Sequence, residues 1–198
     1  GWTSGSDIGE RILGKNVTLV DDPTSDLTFR MGFDGGGMVR KPFTAVEKGV
    51  MKNLFYDLST AAKYRREPTG HDTGSPSLVL RCGDGPVDPL EAVRGLGKVL
   101  YIPALHYMNM PSMARGIFTG SSRFSATMVE DGKITGPIFS TRITDTFQNV
   151  LSSIRILSSA AVSQNQSNTY ARRSPRAMGI PSYAVAEGVK ITDCADSF

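Results

Sequence analysis

The sequence feature that most constrains the fold is an Asp131-Gly132 pair, which stands between two stretches of partly alternating apolar and polar residues. A two-residue hairpin turn of type I′ needs positive φ at both central residues, and Asp-Gly adopts it readily. The pair therefore predicts a hairpin whose return strand covers residues 133–143. Pro137 lies in that strand and cannot donate to a ladder, so it predicts a sheet edge or a bulge.

Similar turn signals and several helix caps predict the other elements. Lys48-Gly49 predicts a second hairpin between strands at residues 42–47 and 50–56. Further strands are predicted at residues 17–20, 27–31, 77–82, 98–106 and 182–192. Capping residues predict helices that begin at Asp7, Asp57, Asp88 and Asp145. The last helix is expected to be the longest, because apolar residues recur at helical spacing up to residue 162.

This order of elements favours one fold class. Many short strands, mostly linked by hairpins and with three or four helices between them, predict an α+β fold with a mostly antiparallel sheet rather than a doubly wound one. The chain has 198 residues, of which 39% are hydrophobic, so it can form one substantial core. We expect residues 1–198 to be one domain, and the absence of an initial methionine suggests a fragment of a longer protein.

Charge and composition exclude several classes of protein. The 22 basic and 19 acidic side chains give a net charge of +3, which is too balanced to indicate a nucleic-acid partner. The sequence has neither an apolar run long enough to span a membrane nor a signal-peptide pattern, so we expect a cytoplasmic protein without a membrane partner. Cys82 and Cys194 lack a CxxC spacing and are interpreted as incidental thiols.

The residues that could carry chemistry do not form a complete catalytic motif. His71 and His106 are far apart, whereas a metalloprotease helix needs two histidines one turn apart and a glutamate. His71 is interpreted as solvated in a polar loop, and His106 as the hydrogen-bonded end of a strand. Asp21-Asp22 precedes a proline and is interpreted as a turn or cap. Residues 120–122, Gly-Ser-Ser, do not match the GxSxG motif of serine hydrolases.

The hairpin region also resembles a known family. Residues 122–138 read SRFSATMVEDGKITGPI, which is similar to a strand and hairpin of the TldD/PmbA family, in which PmbA is also called TldE. Other similar motifs follow the family's order, at residues 9–12, 17–24, 33–37, 46–52, 68–70 and 180–182. The resemblance covers nearly the whole chain. It implies the family's C-terminal domain, with a β-rich, barrel-like sheet and packed helices.

The resemblance also implies where a zinc site would lie. In the TldD branch, zinc is held by an HExxxH helix that precedes the Gly-Glu-Arg-Ile stretch, and by a later cysteine in a Gly-Thr-Cys-Gly segment. The helix would fall before residue 1, and the corresponding cysteine segment, residues 170–182, contains no cysteine. Cys194 lies past the following strand and is not assigned as a ligand. The chain therefore resembles the PmbA/TldE branch, with no cofactor of its own and zinc in a partner subunit or an upstream domain.

Family membership would imply a function as well. TldD and TldE form a cytoplasmic heterodimeric zinc protease that cuts unfolded peptides, and the label "modulator of DNA gyrase" belongs to the same family. The resemblance implies a non-catalytic subunit or C-terminal domain of such a complex, partnered in a homodimer or with a TldD-like subunit. One alternative is a zinc metallopeptidase whose HExxxH helix lies upstream. Another is an unrelated β-rich binding module.

The predicted hairpin suggests where a peptide or partner would bind. An edge strand exposes unpaired N–H and C=O groups, and an extended peptide can add to such an edge through main-chain hydrogen bonds. We therefore predict a peptide-binding or interface site at Gly120, Ser121, Arg123 and Phe124. If instead the predicted helix from Asp145 covers the edge, no peptide would reach it.

Overall fold

A computed structural model describes residues 7–72, 77–123, 126–165 and 177–196. These residues form three α-helices and fourteen β-strands. The helices are α1 (Leu58–Tyr64), α2 (Pro89–Ala92) and α3 (Phe147–Ser152). The strands are β1 (Leu19–Asp21), β2 (Phe43–Glu47), β3 (Val50–Met51), β4 (Leu78–Leu80), β5 (Lys98–Tyr101), β6 (His106–Ser112), β7 (Ile117–Ser121), β8 (Ala126–Glu130), β9 (Lys133–Thr146), β10 (Ile154–Leu157), β11 (Ala161–Asn165), β12 (Ala177–Pro181), β13 (Ala184–Ala186) and β14 (Ile191–Asp196). The prediction of an α+β fold with three or four helices is confirmed.

The chain divides into two compact units. The first unit contains the residues up to Gly83 together with Ser159–Ser182, and the second contains Asp84–Ser158 and the residues from Tyr183 onwards. In the first unit, the strands follow the order β11-β12-β4-β1-β2-β3, and the one parallel pair among the described strands is β12 with β4. Its core includes Val17, Val20, Val46 and Val79, whose branched side chains suit short buried strands.

The second unit is organised around one long hairpin. β7 and β8 pair end to end with the 14-residue strand β9, and Ser122 continues the ladder between them by donating its N–H to the Thr141 carbonyl at 2.8 Å. β6 and β5 then flank β7 and β8, and β14 pairs with β9. β10 and β13 form a separate two-stranded sheet.

The turn of this hairpin has the predicted type. Asp131 and Gly132 have φ values of 47° and 80°, and Glu130 pairs with Lys133 across them. A bulge also lies near Pro137, because Met128 pairs with Gly136 while Val129 pairs with Ile134. Both predictions for this stretch are therefore confirmed.

The turn of the second hairpin and two of the helix starts are confirmed as well, but the return strand of that hairpin covers Val50–Met51 instead of residues 50–56. Lys48 and Gly49 have φ values of 48° and 80° between β2 and β3. Asp57 caps α1 through a reciprocal capping box with Thr60, and the Asp88 carboxylate accepts from the Leu90 N–H in front of α2.

The long helix predicted from Asp145 is wrong. Asp145 lies within β9, Thr146 is the N-cap of α3, and the helix ends at Ser152. The chain then forms β10, which pairs with β13, and β11, which pairs with β12. β-branched residues such as Ile154 fit strands well, so pairing with segments far along the chain outweighs the helical spacing of the apolar side chains.

Three smaller expectations also fail. Residues 7–9 form a turn instead of a helix, and no strand forms at residues 27–31. The barrel-like sheet implied by the resemblance is wrong, because the sheets seen among the described residues stay open, with β11 and β3 at the ends of one and β5 and β6 at the ends of the other. No helix in the described ranges is long and apolar enough to span a membrane.

Candidate functional site

The predicted site residues lie where β7 ends and the ladder continues toward β8. Gly120 and Ser121 are the last residues of β7, and Arg123 follows them with a φ of 52°. Phe124 lies outside the described residues. The Ser122 hydroxyl accepts from the Thr141 N–H at 2.9 Å, so side-chain and main-chain bonds together hold this junction on β9.

Two of the predicted residues are interior and one is exposed. A Cβ atom on Gly120 would lie 2.6 Å from the Met108 sulfur and 3.2 Å from the Leu105 Cβ atom, so β6 and the residue before it cover this position. The Ser121 hydroxyl is buried, accepts from the Arg123 N–H at 3.2 Å and lies 3.3 Å from the Ser140 hydroxyl. Arg123 is exposed, with its guanidinium 4.5 Å from the centre of the Tyr107 ring.

β6 is the exposed edge beside these residues. It pairs with β7 on one side, and its other side has no partner strand within the described part of the chain. Tyr107, Met108 and Met110 on this strand are all exposed, with Tyr107 at 61%. Flexible thioethers adapt to different partners, and the free edge offers main-chain hydrogen-bonding groups. The strand is therefore suited to bind an extended chain.

The second unit also contains a cavity of about 620 Å³. Most of its lining is aliphatic and comes from β5, β13 and the residues after β13, for example Val99, Val185 and Val189. The charged residues on its wall include Arg155, which pairs with Glu187 at 3.1 Å. This lining suits apolar groups better than acid–base chemistry.

Asp145 joins the end of β9 to the loop before β14. Its carboxylate accepts from the Thr146 N–H at 2.7 Å, the Asn149 side chain at 2.8 Å and the Lys190 N–H at 2.9 Å. Burial alone would raise the pKa of Asp145, but these hydrogen bonds and the Lys190 charge hold the pKa below its usual value. The carboxylate is ionised and serves to position the loop.

Sequence reasoning missed a buried ionic network in the first unit. Asp21 at the end of β1 binds the Arg40 guanidinium, and its carboxylate lies 3.1 Å from His71 Nε2. Arg40 also donates to the Met31 carbonyl at 3.0 Å. The three side chains are almost completely buried, so the interpretation of His71 as solvated is wrong.

The surroundings of His71 explain its burial. Its Nδ1 atom lies 2.8 Å from the Thr69 hydroxyl, and the rings of Phe43 and Phe55 lie within 5.2 Å and 4.3 Å of the imidazole, centre to centre. Thr69 is two residues away, but Phe43 and Phe55 come from other parts of the sequence, and no local pattern around His71 signals the two rings. The turn interpretation holds for Asp22, whose carboxylate accepts from the Thr24 N–H at 3.0 Å, but not for Asp21.

The resemblance implies zinc, and the described residues do not fit it. His71 uses both ring nitrogens within its network, while His106 is exposed at the start of β6 rather than at a strand's end. Cys82 is half-buried in the first unit. Within the described ranges, no three histidine, cysteine, aspartate or glutamate side chains come together as a metal site.

Comparison with known proteins gives a family and a fold. The chain matches the model of the PmbA/TldA metallopeptidase C-terminal domain over residues 3–193. A curated protein of Methanothermobacter thermautotrophicus, named a metalloprotease, is 28% identical over 156 residues, which are 72% of this chain and 34% of that protein. The chain thus spans about a third of the length of this relative.

Solved structures share the arrangement of strands and helices. TldE from Thermococcus kodakarensis matches with a TM-score of 0.77 at 20% identity, over 95% of this chain and 42% of that one. A protein of Bacteroides thetaiotaomicron, described as a candidate modulator of DNA gyrase, matches with a TM-score of 0.69 at 25% identity, over 93% and 38% of the two chains.

Proposed function

Because this chain belongs to the family of PmbA/TldA metallopeptidase C-terminal domains, we propose that it is part of a non-catalytic subunit in a TldD/TldE-type metalloprotease complex that processes unfolded peptides. The alternative of an unrelated β-rich module is wrong, since the family match covers residues 3–193. The observation that carries the proposal is the lack of cysteine in residues 170–182, where the TldD-type ligand would stand. In this proposal, zinc belongs to a partner subunit.

A second candidate is a zinc metallopeptidase whose HExxxH helix lies upstream, and the relative named a metalloprotease favours it. The two candidates differ in the metal content of the full-length polypeptide that carries this chain. For a non-catalytic subunit, we expect no stoichiometric zinc in protein purified without chelator, and peptidase activity only after addition of a zinc-containing TldD-like partner. One zinc per polypeptide, with activity of the purified protein alone, would establish the second candidate.

For the substrate, we propose an extended peptide that adds to the free edge of β6, beside three of the predicted site residues, Gly120, Ser121 and Arg123. Gly120 and Ser121 support this edge from within the sheet, and Arg123 is exposed next to it. Main-chain pairing makes little demand on peptide sequence, which suits a protease of unfolded chains. We also propose that the full-length protein is a dimer, either with itself or with a TldD-like partner.

Hydrogen exchange and light scattering test these two statements. With an unfolded peptide present, we expect slower amide exchange at residues 106–123, while the hairpin of β2 and β3 in the first unit serves as the internal control. Light scattering of the full-length protein, with and without the partner, gives the assembly. Both statements would be refuted if the protein were strictly monomeric and if its amide exchange rates between residues 106 and 143 were the same with and without the peptide.

A further inference from the structure

One face of the β6-β7-β9-β14 sheet carries polar side chains in rows across the strands. Ser121 pairs with His106 on β6 and with Arg142 on β9, and Arg142 in turn pairs with Asp193 on β14. Directly paired residues in an antiparallel sheet present their side chains on the same face. This row therefore places an arginine in the middle of a polar surface in the second unit.

Three threonines link the Arg142 side chain to its own main-chain carbonyl. Its Nη1 atom donates to the Thr119 hydroxyl at 3.2 Å, which lies 2.9 Å from the Thr144 hydroxyl. The Thr144 hydroxyl lies 3.0 Å from that of Thr192, and the latter donates to the Arg142 carbonyl at 3.4 Å. Because a carbonyl can only accept, the Thr192 proton goes to the Arg142 carbonyl, so Thr144 donates to Thr192 and Thr119 donates to Thr144. The hydrogen bonds thus form a ring that begins and ends on Arg142.

This ring orients the guanidinium without neutralising it. All three threonine protons are used within the ring, while Nε and Nη2 of Arg142 have no hydrogen-bond partner among the described residues. Asp193 is the cross-strand neighbour, yet no carboxylate of the described residues forms an ion pair with Arg142. Arg142 is half-buried. A partly desolvated, oriented guanidinium with open N–H groups matches the two oxygens of a carboxylate.

We propose that Arg142 and its threonine ring form a binding site for a carboxylate of a bound peptide. The inference rests on the proposed function, because it takes an unfolded peptide as the ligand. The carboxylate can be the peptide's C-terminus or the side chain of an aspartate or glutamate. Thr119 acts as a positioning residue, since it fixes Nη1 and leaves the other edge of the guanidinium to the ligand.

Binding of three related peptides to the full-length protein tests the site. The first peptide is built from alanine, serine and valine, carries an uncharged dye at its N-terminus and ends in a free carboxylate. The second is the same peptide with a C-terminal amide, and the third is the amide with one central glutamate. Fluorescence anisotropy gives each Kd, and we expect a carboxylate to improve binding about tenfold, as for a hydrogen bond to a charged group.

Four variants assign this preference to the ring. Arg142→Gln should abolish the preference for a carboxylate, and Arg142→Lys should keep part of it, because lysine retains the charge but not the planar fork. Thr119→Val should reduce the preference while every charge is kept. Lys133→Gln, which removes an exposed charge from the same strand, is the matched control and should leave the preference unchanged. Thermal melts confirm that each variant is folded.

The outcomes separate this inference from the proposed function. A preference for the free C-terminus or for glutamate, lost in Arg142→Gln, supports the site and identifies the source of the carboxylate. Equal binding of all three peptides by the unaltered protein overturns the carboxylate site and leaves peptide binding intact. Failure to bind any of the three counts against both. A loss in Lys133→Gln as large as in Arg142→Gln would show only a general effect of charge and would also overturn the site.

Discussion

Arg40 in the first unit and Arg142 in the second are both held in place by neighbouring side chains, but their charges have different partners. Arg40 is 5% exposed and binds the buried carboxylate of Asp21. Arg142 is half-buried, and its guanidinium donates to the neutral hydroxyl of Thr119. The difference teaches that burial alone does not assign a role to a charge. The nature of the partner decides whether the charge stabilises the fold or stays available to a ligand.

The strongest test of this comparison is Arg40→Met. It leaves Asp21 buried without its cation, and breaking a buried ion pair from one side typically costs about 3–5 kcal/mol in the free energy of unfolding. Urea unfolding measures the loss. Arg30→Met is the control, because its pair with Asp26 is exposed, and surface pairs contribute less than about 1 kcal/mol. Equal, small losses of unfolding free energy in both variants would show that the buried Asp21 carboxylate does not need Arg40 for its stabilisation.

The substitution Asp145→Asn tests whether a buried carboxylate that forms no salt bridge also stabilises the second unit. The asparagine amide keeps one acceptor oxygen, but its NH₂ group faces one of the N–H donors that the carboxylate accepted from. We therefore expect the free energy of unfolding to fall by about 1.5–3 kcal/mol at neutral pH. Hydrogen bonding lowers the pKa of Asp145 in the folded state. Its contribution is therefore complete above the unfolded pKa of about 3.9 and disappears as the pH falls through the lower folded value.

Urea unfolding at several pH values checks the sign of this effect. The unaltered protein should lose stability relative to Asp145→Asn as the pH falls below about 4, so the two curves converge in acid. Asp193→Asn, an exposed change on β14, serves as the control and should change the free energy of unfolding by less than about 0.5 kcal/mol at neutral pH. Curves that stay parallel down to low pH would contradict an ionised, hydrogen-bonded Asp145.

Gly132→Val tests the part of the second unit that depends on local conformation. The φ of 80° strains a β-branched residue, and a Cβ atom would lie 2.6 Å from the Leu90 carbonyl oxygen. We expect a loss of about 1–3 kcal/mol, seen as a lower midpoint of thermal unfolding. Gly136→Val lies in β9, four residues after the turn glycine, with open space around it, and should change stability by less than about 0.5 kcal/mol. Similar melts for both variants would contradict the strained turn.

These regions also show which parts of the structure the sequence could reveal. The Asp131-Gly132 turn and the caps at Asp57 and Asp88 were predictable, because each depends on residues within three or four positions. The strand β10 was not predictable, because the spacing of its apolar residues fits a helix. Its pairing with β13, nearly thirty residues away, makes this segment a strand instead of a helix.

The candidate site divides in the same way. The hairpin beside the site could be located, because its turn fixes the two strands that it joins, β8 and β9. The burial of Gly120 and Ser121 could not, since it depends on how β6 packs. His71 was misjudged for a similar reason. Its partner Asp21 is 50 residues away, and a polar local sequence gives no sign of two phenylalanine rings around it.

The smallest expected effect is that of Arg142→Gln on stability, and it tests the comparison between Arg40 and Arg142 most directly. Glutamine removes the charge but leaves no buried carboxylate unpaired, and the Thr119 hydroxyl is open enough to accept from water. We therefore expect a loss under about 1 kcal/mol, within the range of a single hydrogen bond. Urea unfolding beside Arg40→Met measures the contrast. If Arg142→Gln cost as much as Arg40→Met, the Arg142 charge would be structural too, and the availability of its guanidinium to a ligand would lose its physical basis.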